Sequence, residues 1–153
     1  MPTIIENPAA LIDNVGLELG PTDWLTIAQD RIDLFAEATG DHQWIHVDPV
    51  RAADGPFGAP IAHGYLTLSL ASNFLPELIE VRNMSMGINY GVNKARFPSP
   101  VPVGSRIRAR GEVVQVDDLG EGAVQAVTKV IIEIEGSEKP AAVIETVSRY
   151  VGL

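Results

Sequence analysis

Apolar residues recur along this chain with two different periods, and the change between them marks its organisation. In QDRIDLFAEAT, residues 29–39, Ile32, Phe35 and Ala36 stand at helical spacing, and Gly40 follows as a residue able to end the helix in the left-handed region. HGYLTLSLASNFL, residues 63–75, is apolar almost all round with only small hydroxyl residues between. That pattern predicts a helix buried on most of its surface, with Pro76 near its end. Between these helices DPVRAADGPFGAP, residues 48–60, is rich in Pro and Gly and is expected to be irregular.

In the second half the period shortens to two. In RIRARGEV, residues 106–113, Arg106, Arg108, Arg110 and Glu112 alternate with Ile107, Ala109, Gly111 and Val113, as in a strand with one wet face. In VQAVTKVIIEIE, residues 124–135, Gln125, Lys129, Glu133 and Glu135 oppose Val124, Ala126, Val130, Ile132 and Ile134. SMGINYGVNKARF, 85–97, and AAVIETVSRYV, 141–151, complete a four-strand antiparallel set, with DDLGEG and GSEKP as turns. A short early strand is expected near Trp24–Ile27. One buried helix followed by an antiparallel meander predicts an α+β domain with the sheet wrapped around the helix. No repeat or low-complexity tract divides residues 1–153, so the chain reads as a single domain.

Composition narrows the function. No stretch approaches the roughly 20 apolar residues that span a bilayer, and MPTIIENPAALIDN has two acids and no basic cluster, unlike a signal peptide. The expected location is the cytoplasm, with no membrane partner. Zero cysteines exclude a disulfide framework and thiolate catalysis. A net charge of −9 argues against nucleic acid as a partner, because that binding rests on neutralising phosphates. Yet Lys94, Arg96, Arg106, Arg108 and Arg110 make one region locally basic, either a solvated strand face or a place for a phosphorylated small molecule.

The densest polar stretch is ATGDHQWIHVD, residues 38–48. After Gly40 the chain leaves the helix on a tight path, so Asp41 and His46 can converge. A carboxylate and a neutral imidazole can hold and polarise one water, the equipment for hydration or dehydration; the same pair in a loop can also be a cap or a surface pair. His42 and His46 have the four-residue spacing of a helical metal pair, but Gly40 and Pro49 argue against a helix there. Gln43 also stands where the zinc-protease pattern needs Glu, so no metal is expected. In PIAHGYLTLSL, residues 60–70, His63-Gly64 sits where a loop becomes a helix. Gly64, lacking a Cβ, either admits a ligand to that backbone or lets the helix start pack closely. Ser72 lies within the helix, no nucleophile elbow surrounds any serine, and GINYGVN lacks the dinucleotide-binding spacing.

FAEATGDHQWIHVD, the Pro/Gly segment and PIAHGYLTLSL, in this order, resemble the MaoC-like, R-specific enoyl-CoA hydratases, and RFPSPVPVGSRIRARGEV extends the likeness over nearly the whole chain. The resemblance implies the hot-dog fold and syn addition of water to a trans-2-enoyl-CoA, giving an R-3-hydroxyacyl-CoA in fatty acid metabolism. Asp41 and His46 match the catalytic pair of the family motif Gly-Asp-x-Asn-Pro-x-His, and Gly64 matches the glycine whose N–H faces the thioester oxygen. Ile61, Ala62 and His63 beside Gly64, with Gly87, Ile88, Asn89 and Tyr90, should line the substrate channel. Pro98 and Arg149 are candidates for its wall and for the CoA phosphates, and Ser72 and Gln43 for supporting roles. Gln43 and Trp44 depart from the family's Asn-Pro. The resemblance implies no metal or redox cofactor, an acyl-CoA thioester substrate and, with a long exposed sheet edge, a homodimer. Two rivals share the fold: a thioesterase, which would release free thiol, and a non-catalytic acyl-CoA-binding subunit, which would bind without turnover.

Overall fold

In the computed structural model, which describes residues 1–153, the chain opens with β1 (Thr3–Ile5), a 3-10 helix (Pro8–Asn14), β2 (Glu18–Leu19) and β3 (Leu25–Thr26). The helical region follows: α1 (Gln29–Thr39), α2 (Trp44–Val47), α3 (Pro49–Ala53), α4 (Gly64–Ser69) and α5 (Ala71–Leu78). It ends with β4 (Ile79–Val81) and the long strands β5 (Met84–Arg96), β6 (Arg106–Gly120), β7 (Ala123–Ile134) and β8 (Ala142–Gly152). β1 pairs with β4 in parallel; the rest of the strands form one antiparallel sheet of order β2-β6-β7-β8-β5, with β3 also on β6. No helix is long and apolar enough to cross a membrane.

The strand alternation is realised as read. Ile107, Ala109 and Val113 of β6, and Val124, Ala126, Val130 and Ile132 of β7, are buried in one core with Phe74 and Leu78 of α5. Each such side chain contributes about 1.5–3 kcal/mol by leaving water, which is what presses the sheet onto the helix. The α+β architecture is therefore the expected one.

Its wiring differs from a simple meander. β5 does not turn back into β6 but pairs with the last strand, from Met84↔Gly152 to Arg96↔Val143. The connection explains this. FPSPVPVGS, residues 97–105, holds Pro98, Pro100 and Pro102, none of which can donate to a ladder. Instead it crosses to the segment before α4, where Ala62 N–H donates to Val101 O (2.8 Å) and Val103 N–H to Pro60 O (2.8 Å).

Three local expectations also need correction. Residues 63–75 are not one helix sunk in the core. Leu70 separates α4 from α5, and the Ser69 hydroxyl donates to the Tyr65 carbonyl one turn back (2.7 Å), a bond that commonly bends helices. Leu66, Thr67, Leu70, Ala71, Phe74 and Leu78 form the buried stripe, while Tyr65, Ser72 and Asn73 are exposed. Residues 48–60 are not wholly irregular, because Pro49 at the first turn and the Asp48 side chain, accepting from Arg51 N–H (3.0 Å), start α3. DDLGEG is mostly strand: β6 runs to Gly120, leaving Glu121 and Gly122 as the turn.

Candidate active site

α1 ends as its sequence dictates. Gly40 takes φ 80°, and its N–H closes onto Ala36 O. This turns the chain so that Asp41 emerges beside the helix end. α2, a single turn, then carries His46 inward. Gln29 at the start of α1 holds that turn by donating from Nε2 to His46 O (2.8 Å), and Ile61 N–H donates to Ile45 O (3.0 Å).

His46 is buried, with Nδ1 2.7 Å from the Ile61 carbonyl oxygen. A carbonyl only accepts, so Nδ1 carries the proton and Nε2 keeps its lone pair. His63 is also buried, with Nε2 2.9 Å from the main-chain oxygen of Asp41, which places its proton on Nε2. Its Nδ1 is buried without a partner. The two imidazoles stack with centroids 3.9 Å apart and planes 23° from parallel, and Phe35 covers His63 at 4.9 Å. Asp41, His46 and His63 each bring a polar atom within 4.8 Å of the others.

Burial holds the His46 pKa below the ordinary histidine value. The bond to Ile61 O opposes that shift, the neighbouring His63 ring adds to it, and the Asp41 carboxylate works against it. The net result is a neutral imidazole with a free Nε2 beside a carboxylate: a pair that can accept a proton from water and return one. The triad is a poor chelate. Lone pairs lie in the ring planes, and two nearly parallel rings cannot aim both at one ion about 2.1 Å away. His42 does not join them, since it precedes α2 and its Nε2 lies 3.4 Å from Glu37 at the surface.

A cavity of about 400 Å³ opens on His46, lined also by Phe57, Ile61, Ala62, Gly64 and Phe97 among others. Phe97 comes from the proline-rich crossing. A Cβ on Gly64 would lie 3.1 Å from the Phe97 ring, so glycine here keeps the helix start and the aromatic wall in contact. Phe57 carried no periodic signal in the sequence, and Phe97 was read as the end of a strand that in fact stops at Arg96; the chain crossings bring both in.

The other expected residues are not gathered at this cavity within one chain. Gly87, Ile88, Asn89 and Tyr90 are exposed on β5 and line two further cavities with Ser72, of about 340 and 290 Å³. Gly87 and Asn89 pair with Tyr150 and Ser148, whose β7 partners Val124 and Ala126 face the core. Ile88 pairs with Arg149 on the opposite face, where the Arg149 guanidinium lies 3.7 Å over the Tyr90 ring and its Nε donates to Gln125 (2.9 Å). Pro98 is exposed beside the cavity rather than in it. Gln43 is exposed, its N–H 3.4 Å from Asp41 Oδ1.

Trp44 is packed rather than loose. Its ring sits so close to Gly55 that a Cβ there would lie 2.8 Å away, and Arg51 stacks over it at 4.4 Å. The arginines of β6 are spent on their neighbours. Arg106 pairs with Glu135, Arg108 and Arg110 pair with Glu133, and Arg106 and Arg108 lie over Trp24. The solvated-face reading of the basic region therefore holds for these three.

Comparison with known proteins fits this geometry. The family model described as MaoC like domain matches residues 13–134. The chain is 54% identical to 3-hydroxyacyl-thioester dehydratase Z of Mycobacterium tuberculosis, over 95% of this chain and 97% of that protein. It is 48% identical to nodulation protein N of Rhizobium leguminosarum bv. viciae, over 83% of this chain and 80% of that one. Among solved structures, the (R)-hydratase from A. caviae involved in PHA biosynthesis superposes with a TM-score of 0.72 at 27% identity, covering 88% of this chain and 95% of that one. The sheet wrapped around α4 and α5 is thus the hot-dog fold.

Proposed function

This chain belongs to the MaoC-like family of hydratases and dehydratases, and on that premise we propose that it interconverts a trans-2-enoyl thioester and the R-3-hydroxyacyl thioester, with CoA as the carrier. The observation that carries the reading is His46: buried, neutral, with Nε2 free, close to the Asp41 carboxylate and in the wall of a largely apolar cavity. A water held between Asp41 and His46 loses a proton to one of them as its oxygen bonds to C3. The double-bond electrons move toward the thioester oxygen, and a proton is delivered to C2, so water is added with nothing left over. Gly64 N–H, at the first position of α4 and without a partner inside the helix, is assigned to that oxygen. The thioester itself activates C3, so the scheme uses no metal or redox group.

The homology supports the thioester chemistry, since one relative is named for a 3-hydroxyacyl-thioester and one structural neighbour for an (R)-hydratase. The departures at Gln43 and Trp44 leave the acid–base pair in place. The packing of Trp44 on Gly55, under Arg51, supplies the rigidity a proline would give. The channel residues on β5 are assigned to a second copy of the chain. That strand is an exposed edge bearing Met86, Ile88, Tyr90 and Val92, and a homodimer formed along it would bring the partner's strand toward the site.

The test is loss of the conjugated enoyl-thioester absorbance of crotonyl-CoA, with Asp41→Asn and His46→Gln alongside. The expected result is wild-type turnover without thiol release, R product, and losses of about 10²–10⁴-fold in each variant. Thiol release would identify a thioesterase instead. Binding of short and longer enoyl-CoAs without turnover would identify a non-catalytic acyl-CoA-binding subunit.

A further inference from the structure

His63 is the one buried histidine that this scheme leaves without work. Its setting is more specific than packing requires. The Nε2–H donates to the main-chain oxygen of Asp41 across 22 residues of sequence, and one ring face stacks on His46 while Phe35 borders the ring. One side chain therefore touches both the segment that presents the carboxylate and the ring that presents Nε2. We propose that His63 is a positioning residue for the hydration step, a tautomer-locked imidazole that sets the distance and angle between the Asp41 carboxylate and His46 Nε2.

The lock follows from the partners. The Asp41 oxygen can only accept, so the proton sits on Nε2, while Nδ1 is buried with nothing to donate to. A second proton at Nδ1 would be unsatisfied and would bring a cation against the face of His46. The titratable groups that meet His63 are His46 of α2 and Asp41 after α1, and the Phe35 ring is neutral. A ring stacked in that place fixes the plane of His46. The Asp41 segment has little else to hold it, since its exposed turn is otherwise kept by long contacts of 3.4 Å to Thr39 Oγ1 and from Gln43 N–H. Misplacing one of two cooperating groups by about 1 Å is enough to cost about 10²-fold in rate.

This inference rests on the hydratase reading, so wild-type turnover of crotonyl-CoA is the control that separates the two. His63→Gln and His63→Met have nearly the same length and differ in the terminal amide, which alone can donate to Asp41 O. His63→Phe keeps a stacked ring and loses the donor. The expected result is a fall in kcat of roughly 10- to 100-fold in His63→Met and His63→Phe, KM within about threefold, and recovery of most of the rate in His63→Gln. If one donor-less variant fails to fold, the other carries the comparison. Wild-type kcat in either donor-less variant, or equal losses in all three, overturns the proposal. The ¹⁵N spectrum reads the same lock without turnover. The neutral His63 ring should carry its proton on Nε2, and finding the Nδ1–H tautomer instead also overturns it.

Discussion

His46 shows how far a single side chain's chemistry is set by its surroundings. Burial is the largest influence on it and favours the neutral form, more than the Ile61 carbonyl and the Asp41 carboxylate favour the charged one. The folded-state pKa therefore lies below the value near 6.5 of an unfolded histidine. Above both values the residue is neutral in either state and costs nothing. As pH falls through the unfolded value, the unfolded chain takes a proton that the folded chain refuses, so stability drops until the folded value is passed. Activity should follow the folded value, because only neutral His46 has a lone pair at Nε2. We expect the His46 ring protons to titrate by NMR with a midpoint below 6.5, and the acid limb of kcat/KM to share that midpoint. An ordinary or raised midpoint would remove the neutral base from the scheme. Asp41, His46 and Gly64 were legible as residues in the sequence, because a short motif carries them. The partnership of His63 with His46 was not, because 17 positions and a Pro/Gly crossing separate them and no period links them.

At the scale of elements, legibility tracked locality. α1 and its Gly40 terminus were readable to the residue because apolar spacing and a left-handed cap are both local. Ala36 O is the partner of Gly40 N–H, at φ 80°. Gly40→Ala should cost about 1–2 kcal/mol, since an L side chain is strained there, and should lower the melting temperature by about 2–4 °C per kcal/mol. It should also reduce kcat, because the same turn delivers Asp41. The long strands were equally plain from their alternation. Strand order was not, because the choice of β8 over β6 as the neighbour of β5 is made by three prolines that sit in no strand. Phe74 is where the two halves meet. It is fully buried on α5 against the core that β6 and β7 supply, so Phe74→Ala should destabilise by about 3–5 kcal/mol. A calorimetric loss below 1 kcal/mol would mean that α5 does not anchor the sheet.

At the scale of the whole molecule one feature is out of proportion to a single 153-residue chain. β5 is 13 residues long, and Ala95 is its only residue that is not exposed. Its exposed apolar residues include Met86, Ile88, Tyr90 and Val92. A bare apolar edge of this length invites another strand, and no helix or loop of the chain covers it. Isologous pairing of two copies along β5 would satisfy the free ladder groups of that edge, and it would also cover the exposed side of α4 and α5, where Tyr65 and Ser72 stand. The same pairing would account for Gly87–Tyr90 lying apart from Ile61–Gly64 within one chain although the family resemblance puts both along one channel. Light scattering should therefore give twice the 16.4 kDa of the chain. Ile88→Lys combined with Val92→Lys should reduce the mass to that of one chain and abolish crotonyl-CoA turnover, while the NMR titration of His46 stays unchanged because its own shell is intact. A wild-type chain that is monomeric and fully active would separate the site from β5 and return those four residues to the surface.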